Sequence, residues 1–148
     1  MTSPIFLDAN IPTYAAGRPH RLKQPCVQVL RLIGETPASF LTDAEVLQEL
    51  LHRYLALRRW PEGRTVFDEF ARLMHQRVEP IYDLDVALAA RLADRYEGLG
   101  ARDLLHAAVM SRLGIRRIVS ADRDFDALPD IERLDPANVG DWQDAALT

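Results

Sequence analysis

The stretch ARDLLHAAVMSRLGIRRIVSADRDF, residues 101–125, decides the fold of this chain. It predicts a helix that begins near Asp103, a break at Gly114, a short strand over residues 117–119 and an acid, Asp122, just past that strand. A strand followed by an acid brings a carboxylate to one edge of a sheet, and a helix that begins with an acid can direct another carboxylate to the same edge. The helix dipole also stabilises an acid in the first turn. Asp103 therefore has two interpretations, a helix cap or part of a shared site.

Composition limits the class of protein. At 148 residues, with 48% hydrophobic and 27% charged side chains, the chain is expected to form a single domain over residues 1–148. The single cysteine, Cys26, excludes an intramolecular disulfide and favours a reducing, cytoplasmic location. No apolar run approaches the length of a membrane span, and the N-terminus lacks the basic start of a signal peptide, so we expect no membrane association.

The formal net charge of -4 argues against a general nucleic-acid-binding protein. It does not exclude a nuclease whose local field is set by metal ions. All the basic residues except Lys23 are arginines, and arginine suits phosphate contacts, although genome composition explains this imbalance equally well. The overall charge alone therefore decides nothing about a nucleic-acid substrate.

Short apolar runs alternate with helical patterns along the whole chain. This alternation predicts a parallel sheet covered by helices, so the expected fold class is α/β with a short central sheet of four or five strands. Residues 136–148 are expected to be irregular or briefly helical. The predicted strands cover residues 4–7, 39–41, 78–82, 117–119 and 131–134.

Two further acids lie where the predicted elements meet. The apolar run PIFL reads as a buried strand that ends at Asp8, and in open α/β sheets the chemistry lies beyond the carboxyl ends of the strands. Asp8 also fits a cap of the helix that follows. Further along, TDAE resembles a capping box in which Thr42 caps a helix and Glu45 bonds back to it. Glu49, one turn later, is then free for another role.

These acids are expected to converge at one edge of the sheet. Packed carboxylates raise the cost of ionising one another, so a cluster of this kind requires protons or cations. Hard divalent ions with oxygen ligands compensate such a cluster well, and the scattered histidines form no zinc motif. We expect Mg²⁺ or Mn²⁺ at a site suited to phosphodiester hydrolysis. The four acids are Asp8, Glu49, Asp103 and Asp122.

Short motifs occur in a fixed order along most of the chain. They are FLDAN at residues 6–10, EVLQEL at 45–50, ARDLLHAAVMSRLG at 101–114, IVSADRDFDAL at 118–128 and RLDP at 133–136. Each motif is short, but together and at these separations they resemble the PIN-domain ribonucleases, and within them the VapC-type toxins of bacterial toxin-antitoxin pairs. The resemblance implies a single PIN-like domain.

The same resemblance assigns roles to individual residues. It implies that Asn10 holds a water or a neighbouring acid, and that Ser120 orients Asp122 through its hydroxyl group. Asp124 is a supporting candidate, although a carboxylate that caps the following turn explains it as well. The metal-binding and catalytic acids that it implies are Asp8, Glu49, Asp103 and Asp122.

The resemblance also implies a function. The chain would be a Mg²⁺- or Mn²⁺-dependent endoribonuclease whose metal-activated water cleaves RNA to leave a 5′-phosphate and a 3′-hydroxyl. It would form a homodimer and would be held in check by a cognate antitoxin bound near residues 43–75. The apolar side chains available there are more often core than interface; they are Leu51, Tyr54, Leu55, Phe67 and Phe70.

Other classes of function are weaker. A phosphorylation-dependent receiver domain also places aspartates at strand ends, but it needs a lysine late in the chain, and the only lysine is Lys23. A PIN-fold nuclease that processes RNA without an antitoxin remains an alternative, as does an inactive PIN-like binding module. The presence of all four acids argues against the inactive form.

Several polar residues have plain structural explanations. Glu45 is the main rival of Glu49. His106, one turn after Asp103, is expected to be a packed or surface histidine. The acids at the start of the helix near residue 83, Asp85 among them, need no role beyond the helix terminus. The arginines at 112, 116 and 117 suit a solvated edge better than contact with an RNA backbone.

Overall fold

The computed structural model describes residues 3–147, and within them it contains a five-stranded sheet and seven α-helices. The strands are β1 (Ile5–Leu7), β2 (Phe40–Asp43), β3 (Val78–Glu79), β4 (Arg117–Val119) and β5 (Glu132–Leu134). The helices are α1 (Asn10–Ala16), α2 (Lys23–Glu35), α3 (Ala44–Ala56), α4 (Trp60–Leu73), α5 (Asp83–Arg95), α6 (Ala101–Leu113) and α7 (Val139–Leu147). Residues 1, 2 and 148, the ends of the predicted single domain, lie outside the described part.

All strand pairs are parallel, in the order β3-β2-β1-β4-β5. β1 lies at the centre, and its three residues are fully buried, as a continuous apolar run predicts. The carboxyl ends of β1, β2 and β4 therefore lie side by side at one edge of the sheet. The prediction of an α/β fold with a short parallel sheet is confirmed. Between residues 3 and 147, no helix is both long enough and apolar enough to cross a membrane.

The predicted cap at the start of α3 is wrong by one residue. Thr42 lies in β2, paired with Val78 of β3, and its hydroxyl donates to the Leu7 carbonyl oxygen at 2.8 Å. The helix cap is instead Asp43, whose Oδ1 accepts from the Val46 amide at 3.0 Å. Because the cap has moved one residue along, Glu45 no longer has the spacing of a capping box. β3 adds a neighbour to β2 and so extends that strand to residue 43.

Arg112 fixes α6 to the start of α5 and is not a solvated edge. Its Nε and Nη2 atoms lie 2.9 and 3.2 Å from the two carboxylate oxygens of buried Asp85. Its guanidinium also lies 4.7 Å from the centre of the Tyr82 ring. Burial opposes ionisation of Asp85, but the bonds from Arg112 and from the Tyr82 amide lower the pKa of this carboxyl. Both residues thus have structural roles that the sequence interpretation did not assign.

Helices α3 and α4 approach each other at Gly63, and an added methyl group there is expected to destabilise the fold. A Cβ atom at this position would lie 2.2 Å from the Tyr54 Cβ. Alanine improves helix propensity by about 1 kcal/mol, but forced overpacking costs about 1–3 kcal/mol and here involves a rigid atom. Gly63→Ala should therefore lower the melting temperature.

A matched substitution provides the control for this prediction. Gly140 also lies in a helix, α7, and no atom lies within 4 Å of the position that its Cβ would take. Gly140→Ala should keep or raise the melting temperature, because it adds helix propensity without a clash. Equal melting temperatures for wild type and Gly63→Ala would contradict the close contact between α3 and α4.

Candidate active site

Asp8 follows β1 and is held rigidly at the carboxyl edge of the sheet. Its Oδ1 accepts from the Ala9 amide at 2.7 Å, and its Oδ2 accepts from the Ser120 hydroxyl at 2.6 Å. The side chain is almost fully buried, with 4% of the residue exposed. Burial raises the pKa of the Asp8 carboxyl; the Glu49 charge adds to this, while His106 and the Ser120 hydroxyl oppose it. A buried acid of this kind needs a nearby positive charge in order to ionise.

Asn10 and Ser120 join the ends of β1 and β4 around Asp8. The Asn10 side-chain amide donates to Asp8 Oδ2 at 3.2 Å and to Ser120 Oγ at 3.1 Å, and its oxygen accepts from the Ala121 amide. Asn10 thus contacts a neighbouring acid, Asp8. The Ser120 hydroxyl donates to Asp8 and accepts from the Asp122 backbone amide at 3.0 Å. Its contact to Asp122 is therefore with the backbone of that residue, and the carboxylate that it orients directly is Asp8.

A second group of acids lies where the start of α6 faces the loop after β4. Asp103, Asp122 and Asp124 each offer a carboxylate oxygen within 4.8 Å of the others. Burial, then the charges of Asp8 and Asp122, raises the pKa of Asp103 to about 7. Asp122 Oδ1 also accepts from the Asp124 amide at 2.9 Å. Asp124, which the sequence placed at the periphery, belongs to this group by position.

Glu49 faces the site, and Glu45 lies to one side of it. Glu49 Oε2 lies 3.9 Å from His106 Nε2, in a group that also contains Asp8. Arg102 lies between the two glutamates, with guanidinium nitrogens 3.7 Å from Glu45 and 3.8 Å from Glu49. Among the described residues Glu45 belongs to neither acidic group, so the geometry favours Glu49 over its rival.

His106 and Asp43 form a buried pair that the sequence interpretation missed. Both side chains are fully buried, and His106 Nδ1 lies 2.8 Å from Asp43 Oδ2. Burial lowers the pKa of His106, but the pairing with Asp43 and the attraction of Glu49 and Asp8 outweigh it and raise the pKa to about 10. The sequence holds two signals for this pair. Asp43 ends a strand just as Asp8 follows one, and His106 lies one turn beyond Asp103.

The two acidic groups form one electrostatic unit, because the charge of Asp8 affects the pKa of Asp103. Four sequence-predicted acids are thus brought to the same edge by β1, α3, α6 and the loop after β4. The donors are mostly carboxylate oxygens, and burial, together with repulsion between neighbouring acids, raises the pKa of Asp8 and Asp103; a bound cation would stabilise their charged forms. This donor set fits a hard divalent ion such as Mg²⁺ or Mn²⁺.

An open cleft of about 380 Å³ extends from Glu49 along α1, α3 and the start of α4. Its wall includes Arg18 and Arg53, which make no ion pair within residues 3–147. The rings of Tyr14 and His20 stand on the same wall, with centroids 4.9 Å apart. The cleft thus combines positive charge with flat ring surfaces next to the acidic groups.

Comparison with known proteins identifies the family. The PIN domain profile matches residues 5–131. Ribonuclease VapC13 of Mycobacterium tuberculosis (strain ATCC 25618 / H37Rv) is 41% identical over 130 residues, which cover 88% of this chain and 98% of that protein. Ribonuclease VapC23 of the same strain is 40% identical over 121 residues, 80% of this chain and 92% of that protein. The chain therefore belongs to the PIN-domain family, and within it to the VapC ribonucleases.

Solved structures share this fold. FitAcB from Neisseria gonorrhoeae matches with a TM-score of 0.69 at 18% identity, covering 89% of this chain and 97% of that chain. VapBC2 from Rickettsia felis, bound to a DNA fragment from their promoter, matches with a TM-score of 0.67 at 18% identity and covers 88% and 98% of the two chains. At such low identities the likeness supports the fold alone.

Proposed function

We propose that this chain is a divalent-metal-dependent endoribonuclease and the toxin of a type II toxin-antitoxin pair. The observation that carries the proposal is the convergence of acids from separate elements, with a pKa of about 7 for Asp103, in a chain of the VapC family. We assign the metal-binding and catalytic role to Asp8, Glu49, Asp103 and Asp122, with Asn10, Ser120 and Asp124 in support.

Each residue contributes through its position. Asp8 is held by Ser120 and Asn10, so its carboxylate cannot turn away from the site. The backbone of Asp122 is fixed by Ser120, which keeps this acid opposite Asp103. A bound Mg²⁺ or Mn²⁺ would activate water and stabilise the negative charge that develops on the phosphate oxygens. The rigid carboxylates would hold that ion, whose positive charge would offset their own repulsion of the scissile phosphate.

The cleft beside Glu49 supports an RNA substrate. Arginine grips phosphate with paired hydrogen bonds, and exposed rings stack on unpaired bases. Arg53 and the Tyr14–His20 ring pair are thus arranged for a single-stranded segment that leads to the acids. Single-stranded RNA loops are therefore the substrate class that the cleft fits best.

Arg53→Ala is expected to weaken RNA binding without changing cleavage of the bound strand. The loss of one phosphate contact should lower affinity similarly for all sequences and reduce the slope of log affinity against log salt by about 1. Fluorescence anisotropy with a single-stranded oligonucleotide measures both effects. Arg91→Ala is the control, because Arg91 is exposed on α5 and does not line the cleft. Equal affinities in both variants would contradict the role of this wall.

Within residues 43–75, we propose that the antitoxin binds the exposed face of α3. Tyr54 and Phe70 are buried and belong to the core, so they are not available to a partner. Leu51 and Leu55 are 38% and 53% exposed and give a partner helix an apolar surface. The solved structures that share this fold include VapBC and FitAB complexes. This likeness supports the proposal that the partner is an antitoxin. A short neighbouring gene for a small DNA-binding protein is the genetic observation that this proposal requires.

The proposed homodimer has a separate apolar surface. Leu84 and Val86, at the start of α5, are 74% and 53% exposed. A self-contact there would bury side chains that α5 leaves in solvent. Light scattering on the purified chain gives the mass directly, and a monomer at micromolar concentration would contradict the dimer.

We further propose that the chain forms one domain and that it acts in the cytoplasm, where RNA and antitoxin are both available.

Cleavage of a defined RNA tests the proposed function. Purified chain with Mn²⁺ should cut a single-stranded RNA internally and leave 5′-phosphate ends that accept no further phosphate from a kinase. Addition of EDTA should stop the reaction, and renewed Mn²⁺ should restart it. Cleavage that continues unchanged in EDTA would contradict the metal-dependent mechanism.

A further inference from the structure

His106 is held in one orientation by Asp43. The carboxylate of Asp43 can only accept, so His106 Nδ1, 2.8 Å from Asp43 Oδ2, is the nitrogen that donates. The other oxygen of Asp43 accepts from the Val46 amide, which fixes Asp43 to the start of α3. The ring plane is therefore set by the fold, and Nε2 is the ring atom that faces the acidic site.

Nε2 of His106 points into the acidic site and has no hydrogen-bond partner among residues 3–147. It lies 4.0 Å from Asp8 Oδ1 and 3.9 Å from Glu49 Oε2. Both separations are too long for a hydrogen bond, yet a buried nitrogen without a partner carries a large desolvation cost. A buried side chain of this kind requires a further partner in the space between it and the two carboxylates.

The separations fit a shared cation. Two ligands bonded to one ion at about 2.1 Å lie about 3.0 to 3.4 Å apart at octahedral or tetrahedral angles, so Nε2 and each carboxylate need to approach by only about 0.5–1 Å when an ion binds. Asp8, Glu49 and His106 together offer ligand atoms within 4.8 Å of one another. An imidazole that donates its other nitrogen to a carboxylate is the usual form of a metal-binding histidine, because that bond fixes its tautomer and strengthens it as a ligand.

We propose that His106, oriented by Asp43, releases its Nε2 proton to solvent and becomes a nitrogen ligand of the divalent ion at this site. This inference rests on the proposed function, and it changes the donor set from all-oxygen to mixed nitrogen and oxygen. Mg²⁺ seldom accepts a nitrogen ligand, whereas transition-metal ions bind imidazole well. The site is therefore selective for ions such as Mn²⁺ over Mg²⁺, and His106 is the source of that selectivity.

Pulsed electron paramagnetic resonance of Mn²⁺ bound to the whole chain tests the assignment without any measurement of activity. An imidazole ligand transfers spin density to its nitrogen, so the wild-type spectrum should contain a ¹⁴N modulation. Incorporation of ¹⁵N-histidine should replace it with the ¹⁵N pattern. His106→Gln should lose the modulation, whereas His52→Gln, at an exposed position on α3, should keep it.

Calorimetric titration measures the selectivity of the site for Mn²⁺ over Mg²⁺. His106→Gln is expected to weaken Mn²⁺ binding by about 10- to 100-fold, and Mg²⁺ binding much less. Mn²⁺ bound to wild type without nitrogen modulation would overturn this inference and leave the proposed function intact, even if His106→Gln failed to fold. An absence of Mn²⁺ binding to wild type would overturn both. Modulation that survives in folded His106→Gln would also overturn the assignment.

Discussion

Asp8→Asn is expected to lower Mn²⁺-dependent RNA cleavage by more than about 100-fold. Mutation of a residue that only hydrogen-bonds to a metal ligand lowers activity by about 10- to 100-fold, and Asp8 is proposed as a ligand itself. The substitution removes a negative charge while the side-chain size is kept. In the native protein Ala9 donates to one carboxylate oxygen and Ser120 to the other; the single oxygen of asparagine can still accept from the Ala9 amide, while its NH₂ group faces the Ser120 hydroxyl, which can rotate to accept. The loss should therefore lie in the chemistry and not in the fold.

The melting temperature of Asp8→Asn separates these two effects. Burial raises the pKa of Asp8, so the charged form costs folding energy that a neutral amide does not. The metal-free variant should melt no lower than wild type. Asp68→Asn is the control, since Asp68 pairs with Arg64 on α4 and its side chain is 43% exposed. Cleavage by Asp8→Asn at the rate of the control would contradict the role of Asp8.

Without metal, the wild-type chain is expected to lose stability as the pH rises from about 4 to 7. Asp103 has a folded pKa of about 7, above its ordinary value of 3.8, so within this window the folded chain keeps a proton that the unfolded chain releases. Stability falls wherever the unfolded state binds fewer protons. The raised pKa of His106, about 10, acts in the same direction above its ordinary value of 6.5.

Asp103→Asn isolates the contribution of Asp103, because the neutral amide does not titrate. Across this pH range the melting temperature of wild type should fall by at least about 3 °C more than that of the variant. This corresponds to about 1 kcal/mol in the free energy of unfolding, after allowance for the partial exposure of Asp103. Mn²⁺ at pH 8 should stabilise wild type and have little effect on the variant. Scanning calorimetry at several pH values measures both changes, and parallel pH profiles for the two proteins would contradict the coupling of Asp103 to the other acids.

The sequence predicts the parts of this fold that depend on local patterns. Asp8 follows a continuous apolar run, and such a run reads as a buried strand without knowledge of its neighbours. Asp103 and Asp122 lie at the start of a helix and just past a strand, and parallel pairing brings those positions to one edge. These placements could be inferred because each depends on residues close by in the chain.

The features that the sequence did not predict depend on distant residues. The cap of α3 is Asp43 and not the predicted Thr42, because β3, more than thirty residues later in the chain, pairs with β2 as far as residue 43. His106 pairs with Asp43 across 63 positions, and Arg112 pairs with Asp85 across 27. No local pattern indicates which partner a buried polar side chain will meet. The sequence therefore did not predict either pair, and it did not place the Nε2 atom of His106 within the acidic site.

The most direct test of the proposed metal centre is a calorimetric titration of Mn²⁺ into wild type, Asp8→Asn and Asp103→Asn. The proposal predicts saturable binding to wild type and a large loss of affinity in both variants, since each contributes a carboxylate from a different element to the same site. Binding of equal strength in all three proteins, or an absence of binding to wild type, would contradict it.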